Sequence, residues 1–170
     1  MKLFNSQKFD DMNDLLVEQI EDLYDAENRL CDALPRMADA AHSPELQAAF
    51  RDHLVETKGH VDRLERVFSL LDHKPRRETC DAMKGLITEG EEMIEARGDD
   101  AVRDAALIAA AQRVEHYEMA GYGSARNFAK RLGKNDVAAL LQETLNEEGA
   151  ADEKLTRIAE STVNPSAAHA

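Results

Sequence analysis

Glutamate and histidine side chains interrupt apolar stripes at helical spacing, and those interruptions are where this chain can do chemistry. Steps of three and four from Leu16 pass through Ile20, Leu23, Glu27, Leu30 and Leu34, which puts a glutamate among leucines. A second stripe runs Leu46, Phe50, His53, Thr57, His60, Leu64, Val67 and Leu71, with Glu56 one step beside it. A third runs Ile108, Ala111, Glu115, Glu118, Tyr122, Ala125, Ala129 and Leu132. The fourth runs Val137, Leu141, Thr144, Glu148, Ala151, Leu155 and Ile158, with Glu147 on its shoulder. Each stripe is apolar at its ends and polar near its centre. A buried carboxylate costs several kcal/mol unless something compensates it. Several in one layer repel each other, which raises their pKa values or demands cations. Carboxylate oxygens that hold and bridge two hard cations, with imidazoles completing the shell, are the donors of a dinuclear metal site.

Such a site needs four helices that bring their centres to one height. Four prolines, eight glycines and no tryptophan, in a chain rich in Ala, Leu, Glu, Asp and Arg, favour helix throughout. The punctuation predicts helices over about 11–40, 44–71, 79–97, 100–132 and 135–160. Ser43 and Pro44 start the second, while Gly98 and Gly133 close the third and fourth. Pro35 removes a backbone donor and should kink or end the first helix. No segment alternates with the period of a strand, and no internal repeat points to a helical stack.

Short turns join the first two long helices and the last two, so each pair should form an antiparallel hairpin. The long segment from Leu71 to Asp100, with its short extra helix, carries the chain between hairpins. The expected fold is all-α, a four-helix bundle of two antiparallel hairpins with one long crossover, the ferritin-like arrangement. Counted from the two turns, Glu27 and Glu56 differ in height by about two residues, roughly 3 Å of helical rise, and so do Glu118 and Glu147. All four helices can therefore present carboxylates at mid-bundle height. One domain over residues 1–170 is expected, ordered over about 8–161 and ending in a flexible Ala-rich tail, 162–170.

The composition narrows the function classes. A net charge of −13, from 34 acids and 21 bases, argues against nucleic acids and anionic membranes as partners. No stretch reaches the ~18–20 apolar residues of a membrane-spanning helix, and Met1 to Phe9 lacks the apolar run of a secretory signal. The expected location is the cytoplasm. There Cys31 and Cys80, which form no C-x-x-C pair, read as ordinary buried thiols, with a regulatory disulfide as the alternative.

The chain resembles the bacterial YciE/YciF-type ferritin-like stress proteins from Leu15 to about Ala159. The resemblance is carried by Asp22-Leu-Tyr-Asp-Ala-Glu27, His53-Leu-Val-Glu56-Thr, Cys80-Asp-Ala-Met-Lys-Gly-Leu-Ile87, Ala105-Ala-Leu-Ile-Ala-Ala-Ala-Gln112, Val114-Glu-His-Tyr-Glu118 and Thr144-Leu-Asn-Glu-Glu148. It implies a ferritin-like bundle, often dimeric, linked to stress responses, so a homodimer is expected. The wider ferritin-like pattern implies Glu27 as the first-helix ligand, Glu56 as a bridging candidate and Glu115 with Glu118 as paired third-helix acids. Glu147 falls where bacterioferritins carry Glu-Glu-Gly-His, which here reads Glu147-Glu-Gly-Ala150. The usual Glu-x-x-His motif is absent: Gly59 stands three after Glu56, and Ala150 three after Glu147. His53 and His60 can each reach a metal from the face of Glu56, and His53 is preferred because it stands in the resembling segment. His60 is read as a partly solvated polar core residue, and His116 as facing a neighbour. Tyr24 and Tyr122 either hydrogen-bond ligands or simply pack.

The expected metal ligands are thus Glu27, His53, Glu56, Glu115, Glu118 and Glu147, with dinuclear iron, or manganese, as cofactor. The leading expectation is a cytoplasmic stress-associated protein whose metals react with oxygen or peroxide, drawing on an unidentified electron donor. The alternative is a non-catalytic helical interaction or structural protein whose polar centre is vestigial or a structural metal clip.

Overall fold

The computed structural model describes residues 8–170; the first seven residues of the segment read as lacking a secretory signal lie outside the described residues. Four long helices form the body: α1 (Met12–Ala40), α2 (Pro44–Leu70), α4 (Asp100–Arg131) and α5 (Asn135–Ile158). The crossover carries α3 (Asp81–Glu95), and the chain closes through a π-helical turn, Ala159–Val163, into the short α6 (Asn164–Ala167). α1 packs along α2, and α4 along α5, as two antiparallel hairpins. No strand occurs among the described residues. No helix among the described residues is long and apolar enough to cross a membrane.

The helix ends are set by local chemistry. The Asp11 carboxylate accepts from the N–H groups of Asn13 at 2.7 Å and Asp14 at 3.1 Å, satisfying donors that the first turn of α1 leaves free. Asp99 does the same for α4, accepting from Ala101 at 2.8 Å and Val102 at 3.2 Å. Pro44 occupies the first turn of α2 behind the Ser43 cap. α4 ends where Gly133 takes φ +72, a left-handed conformation that costs glycine nothing and lets the Lys134 N–H return to the Ala129 carbonyl at 2.9 Å.

α1 reaches Ala40, as the punctuation predicts, and Pro35 does not end it. The residues around the proline, Leu34, Met37 and Ala38, are buried in one apolar cluster, and burial at ~1.5–3 kcal/mol per large side chain outweighs one missing backbone bond. The segment from residue 162, expected as a flexible tail, is helical over Asn164–Ala167. Ala159 and Val163 pack into that same cluster and draw the chain on as helix to Ala167.

Two buried carboxylates hold the connections in place. Asp104 of α4 accepts from the backbone N–H groups of His42 at 2.8 Å and Ser43 at 2.7 Å, which ties the α1–α2 turn to the second hairpin. Asp25 of α1 pairs with Arg29 at 2.6 Å and Arg77 at 2.9 Å and accepts from the Cys80 N–H at 2.9 Å, anchoring the crossover at the start of α3. α1 and α4 approach closely at Gly121, where a Cβ would stand 2.9 Å from Leu23 Cδ2.

The core is divided. One apolar cluster fills the α1–α2 turn end, with Leu30, Leu34, Phe50, Ile108 and Leu155 among its members. The other fills the opposite end, with Leu16, Leu23, Phe68, Tyr122 and Leu141. Between them each long helix contributes polar residues: Glu27, His53, Thr57, His60, Glu115, Glu118, Thr144 and Glu148 are all buried.

Candidate metal centre

His53 and His60 stand seven residues apart on α2, two helical turns, and therefore project from one face with ring centroids 6.3 Å apart. Around them converge Glu27 from α1, Glu115 and Glu118 from α4, and Glu148 from α5. One atom each from His53, Glu115, Glu118 and Glu148 lies within 4.8 Å of the others, and the same holds for Glu27, His60 and Glu148. The two groups share Glu148. Its Oε1 is 2.9 Å from His60 Nδ1 and its Oε2 is 3.8 Å from His53 Nε2, so one carboxylate faces both halves. Glu27 Oε1 is 3.3 Å from His60 Nδ1, and Glu115 Oε1 is 3.3 Å from His53 Nε2.

The electrostatics show how uncomfortable this layer is. Glu118 is fully buried, and desolvation, reinforced by Glu27 and Glu148, drives its pKa well above the ordinary carboxylate range. Burial also drives Glu115 well up, against the attraction of His53, and raises Glu27 against that of His60. Burial opposes charge on Glu148 as well, but His60 and His53 outweigh it and hold its pKa below the usual value. Both imidazoles are pushed upward. Desolvation works against their charge, yet Glu115 and Glu56 take His53 to about 9, and Glu148 and Glu27 take His60 to about 10.

The donor set fits a pair of divalent cations. Both oxygens of Glu118, Glu27 Oε2, Glu115 Oε2, Glu148 Oε2 and His53 Nε2 are buried without a hydrogen-bond partner, and His60 Nδ1 and Glu148 Oε1 face each other at 2.9 Å. Orphans of this number are costly unless something pairs with them. Four carboxylates bring four negative charges when ionised, which two divalent ions neutralise, and four carboxylates with two imidazoles suit iron or manganese.

The outward nitrogens of the two histidines are also held. His53 Nδ1 lies 3.2 Å from Glu56 Oε2, and His60 Nε2 lies 2.9 Å from Glu147 Oε2. Glu147 is gripped in turn by Arg63, whose Nη1 and Nη2 donate to its two oxygens at 2.7 and 3.1 Å while Nη1 also donates to Thr144. Burial raises the Glu147 pKa, but Arg63 overcomes it and keeps the carboxylate ionised. Tyr122 donates its hydroxyl to Glu27 Oε1.

Of the residues singled out in the sequence, the structure brings Glu27, His53, Glu115 and Glu118 into the layer and leaves Glu56 and Glu147 outside it. Their side chains are 51% and 40% exposed, and each faces the outer nitrogen of a histidine. Glu148 and His60 take the inner positions. Both lay on the apolar stripes, and helical phase alone points them inward; the borrowed motif favoured Glu147, and one position along a helix is a turn of 100°. His60 is fully buried rather than partly solvated. His116 is exposed, 3.4 Å from Asp152, and Tyr24 donates to Glu65 at 2.8 Å and packs edge-on against Phe68. Cys31 and Cys80 are free thiols, the latter buried against Tyr117.

Comparison with known proteins agrees with this fold. Residues 11–168 match the family described as a domain of unknown function, DUF892, and the chain belongs to that family. It is 46% identical over 157 residues to Protein YciF of Escherichia coli, covering 92% of this chain and 95% of that one. The crystal structure of the E. coli stress protein YciF superposes with a TM-score of 0.88 at 44% identity, over 92% of this chain and 99% of the other. YcfI from Rhodopseudomonas palustris superposes with a TM-score of 0.86 at 41% identity, over 90% and 98% of the two chains.

Proposed function

For this member of the DUF892 family we propose a dinuclear iron or manganese carboxylate centre that reacts with oxygen or peroxide under stress. The observation that carries the reading is the shared position of Glu148 between two groups of buried donors, most of them unpartnered, drawn from all four long helices. His60 Nδ1, Glu27 and one Glu148 oxygen would hold one ion, and His53 Nε2, Glu115, Glu118 and the other Glu148 oxygen the second. Bound there, the metals supply electrons and an open coordination position that the protein alone lacks.

The remaining residues tune that site. Glu56 and Glu147 accept from the outer imidazole nitrogens, which fixes the rings with their other nitrogens inward and makes them better donors. Tyr122 occupies one Glu27 oxygen and leaves Oε2 for an ion. The apolar clusters above and below close off the two ends of the layer. Without metal the two histidines are charged and burial favours the neutral form of Glu118, so metal entry must expel protons. The name of the E. coli relative, a stress protein, supports the stress context.

Anaerobic loading with ferrous ion followed by peroxide tests the reading. The wild-type chain should consume peroxide as its iron is oxidised, and Glu148→Ala should not. A chain that binds two ions yet oxidises them no faster than free ferrous iron would instead carry a structural metal clip.

A further inference from the structure

A cavity of about 210 Å³ opens between the long helices onto the His53 half of the polar layer. Its walls are apolar, formed by Leu34, Ala49, Phe50, Ala111, Ala151 and Leu155. Its floor is polar: His53 and Glu115 line it, both more than nine-tenths buried, and His53 Nε2 and Glu115 Oε2 have no hydrogen-bond partner. At the rim stand Glu56, Lys154 and Arg157. These charges are of both signs and already engaged, Glu56 with His53 and Lys154 with Asp52 at 2.9 Å, so the entrance selects neither an anion nor a cation.

The size is informative. Water or hydrogen peroxide needs a small part of this space, since a water molecule's share of the liquid is ~30 Å³, whereas an apolar cavity of ~150 Å³ holds benzene. Apolar walls with few convergent polar groups are the usual form of a small-molecule site. We propose that this cavity binds a small neutral molecule with a branched or aromatic hydrocarbon body and one oxygen-bearing end, an alcohol or an organic hydroperoxide. The body lies against Phe50, Ala49 and Leu155. The oxygen-bearing end reaches the floor, where a hydroxyl, both donor and acceptor, can hydrogen-bond to Glu115 Oε2 and His53 Nε2, pairing two orphans at once. The proposal deepens the metal reading, because that end would face the centre, but the binding itself does not depend on bound metal.

The test uses the full-length chain without metal and cumyl alcohol, an unreactive probe of the right shape, followed by NMR titration and calorimetry. Saturable one-to-one binding that moves the Ala49, Phe50 and Ala151 resonances is expected. Ala150 lines the cavity and is exposed, so Ala150→Phe can fill the space without disturbing the core and should weaken binding about tenfold or more. Ferrous binding by that variant should be unchanged. No saturable binding by the wild-type chain, shifts confined to another surface, or equal affinity in Ala150→Phe would overturn the proposal. Loss of metal binding with alcohol binding intact would sink the metal reading alone.

Discussion

Replacing Glu118 by methionine should stabilise the metal-free protein and reduce its response to metal, two effects of opposite sign from one substitution. Glu118 is 0% exposed, neither oxygen has a partner, and burial beside other carboxylates favours its neutral form. Leaving a buried polar group unsatisfied costs about 1–3 kcal/mol, and an unbranched side chain of the same length removes that cost while filling the space. For a chain of this size about 2 kcal/mol corresponds to a rise in Tm of roughly 4–8 °C. In the wild-type chain a ligand at a hundredfold excess over its Kd adds about 2.7 kcal/mol per site, and Glu118→Met should lose that increment at the His53 half. Differential scanning calorimetry of both proteins, with chelator and with ferrous or manganous ion, reads both effects. A metal-free Tm that falls would show that Glu118 is already paired. An undiminished metal response would show that it holds no ion.

Four further outcomes follow from the same geometry. The His53 and His60 pKa values, about 9 and about 10, lie above the ordinary 6.5, so the stability they lend the metal-free chain is fully present below about pH 6.5 and lost as pH rises through 9 to 10. Metal binding needs both rings neutral, so affinity should rise with pH over that window, with proton release visible by calorimetry in buffers of different ionisation heat. Glu147→Ala should weaken binding of one ion about 10–100-fold while the count stays at two, because only the outer support of His60 is removed; isothermal titration reads both numbers. Asp25→Ala should cost about 2–3 kcal/mol in chemical denaturation, less than the ~3–5 for a fully buried pair because Arg77 reaches solvent; an unchanged midpoint would refute that anchoring role.

Much of this architecture was legible because helical phase is a strong constraint. Glu27, His53, Glu115 and Glu118 stand at three-and-four spacing among leucines and alanines, and the fold points them where that spacing says. Glu148 and His60 were on the same stripes, but the bacterioferritin motif points to Glu147, one residue off phase. The Glu147–Arg63 grip was not legible, since it joins residues 84 apart in the chain across two helices. Nor was the continuation past residue 162, which depends on where the α1–α2 turn end leaves apolar surface for Val163. Pro35 shows the limit of local rules: the lost backbone bond is local, whereas the packing that overrides it comes from other helices.

The central claim is that donors from four helices hold two cations with Glu148 between them. Anomalous diffraction from crystals grown with manganous or ferrous ion tests it most directly. The account predicts two peaks, one beside Glu27 and His60 and one beside His53, Glu115 and Glu118, both within bonding distance of Glu148. A single peak, or ions bound only to the acidic surface while the polar layer stays protonated, would contradict it.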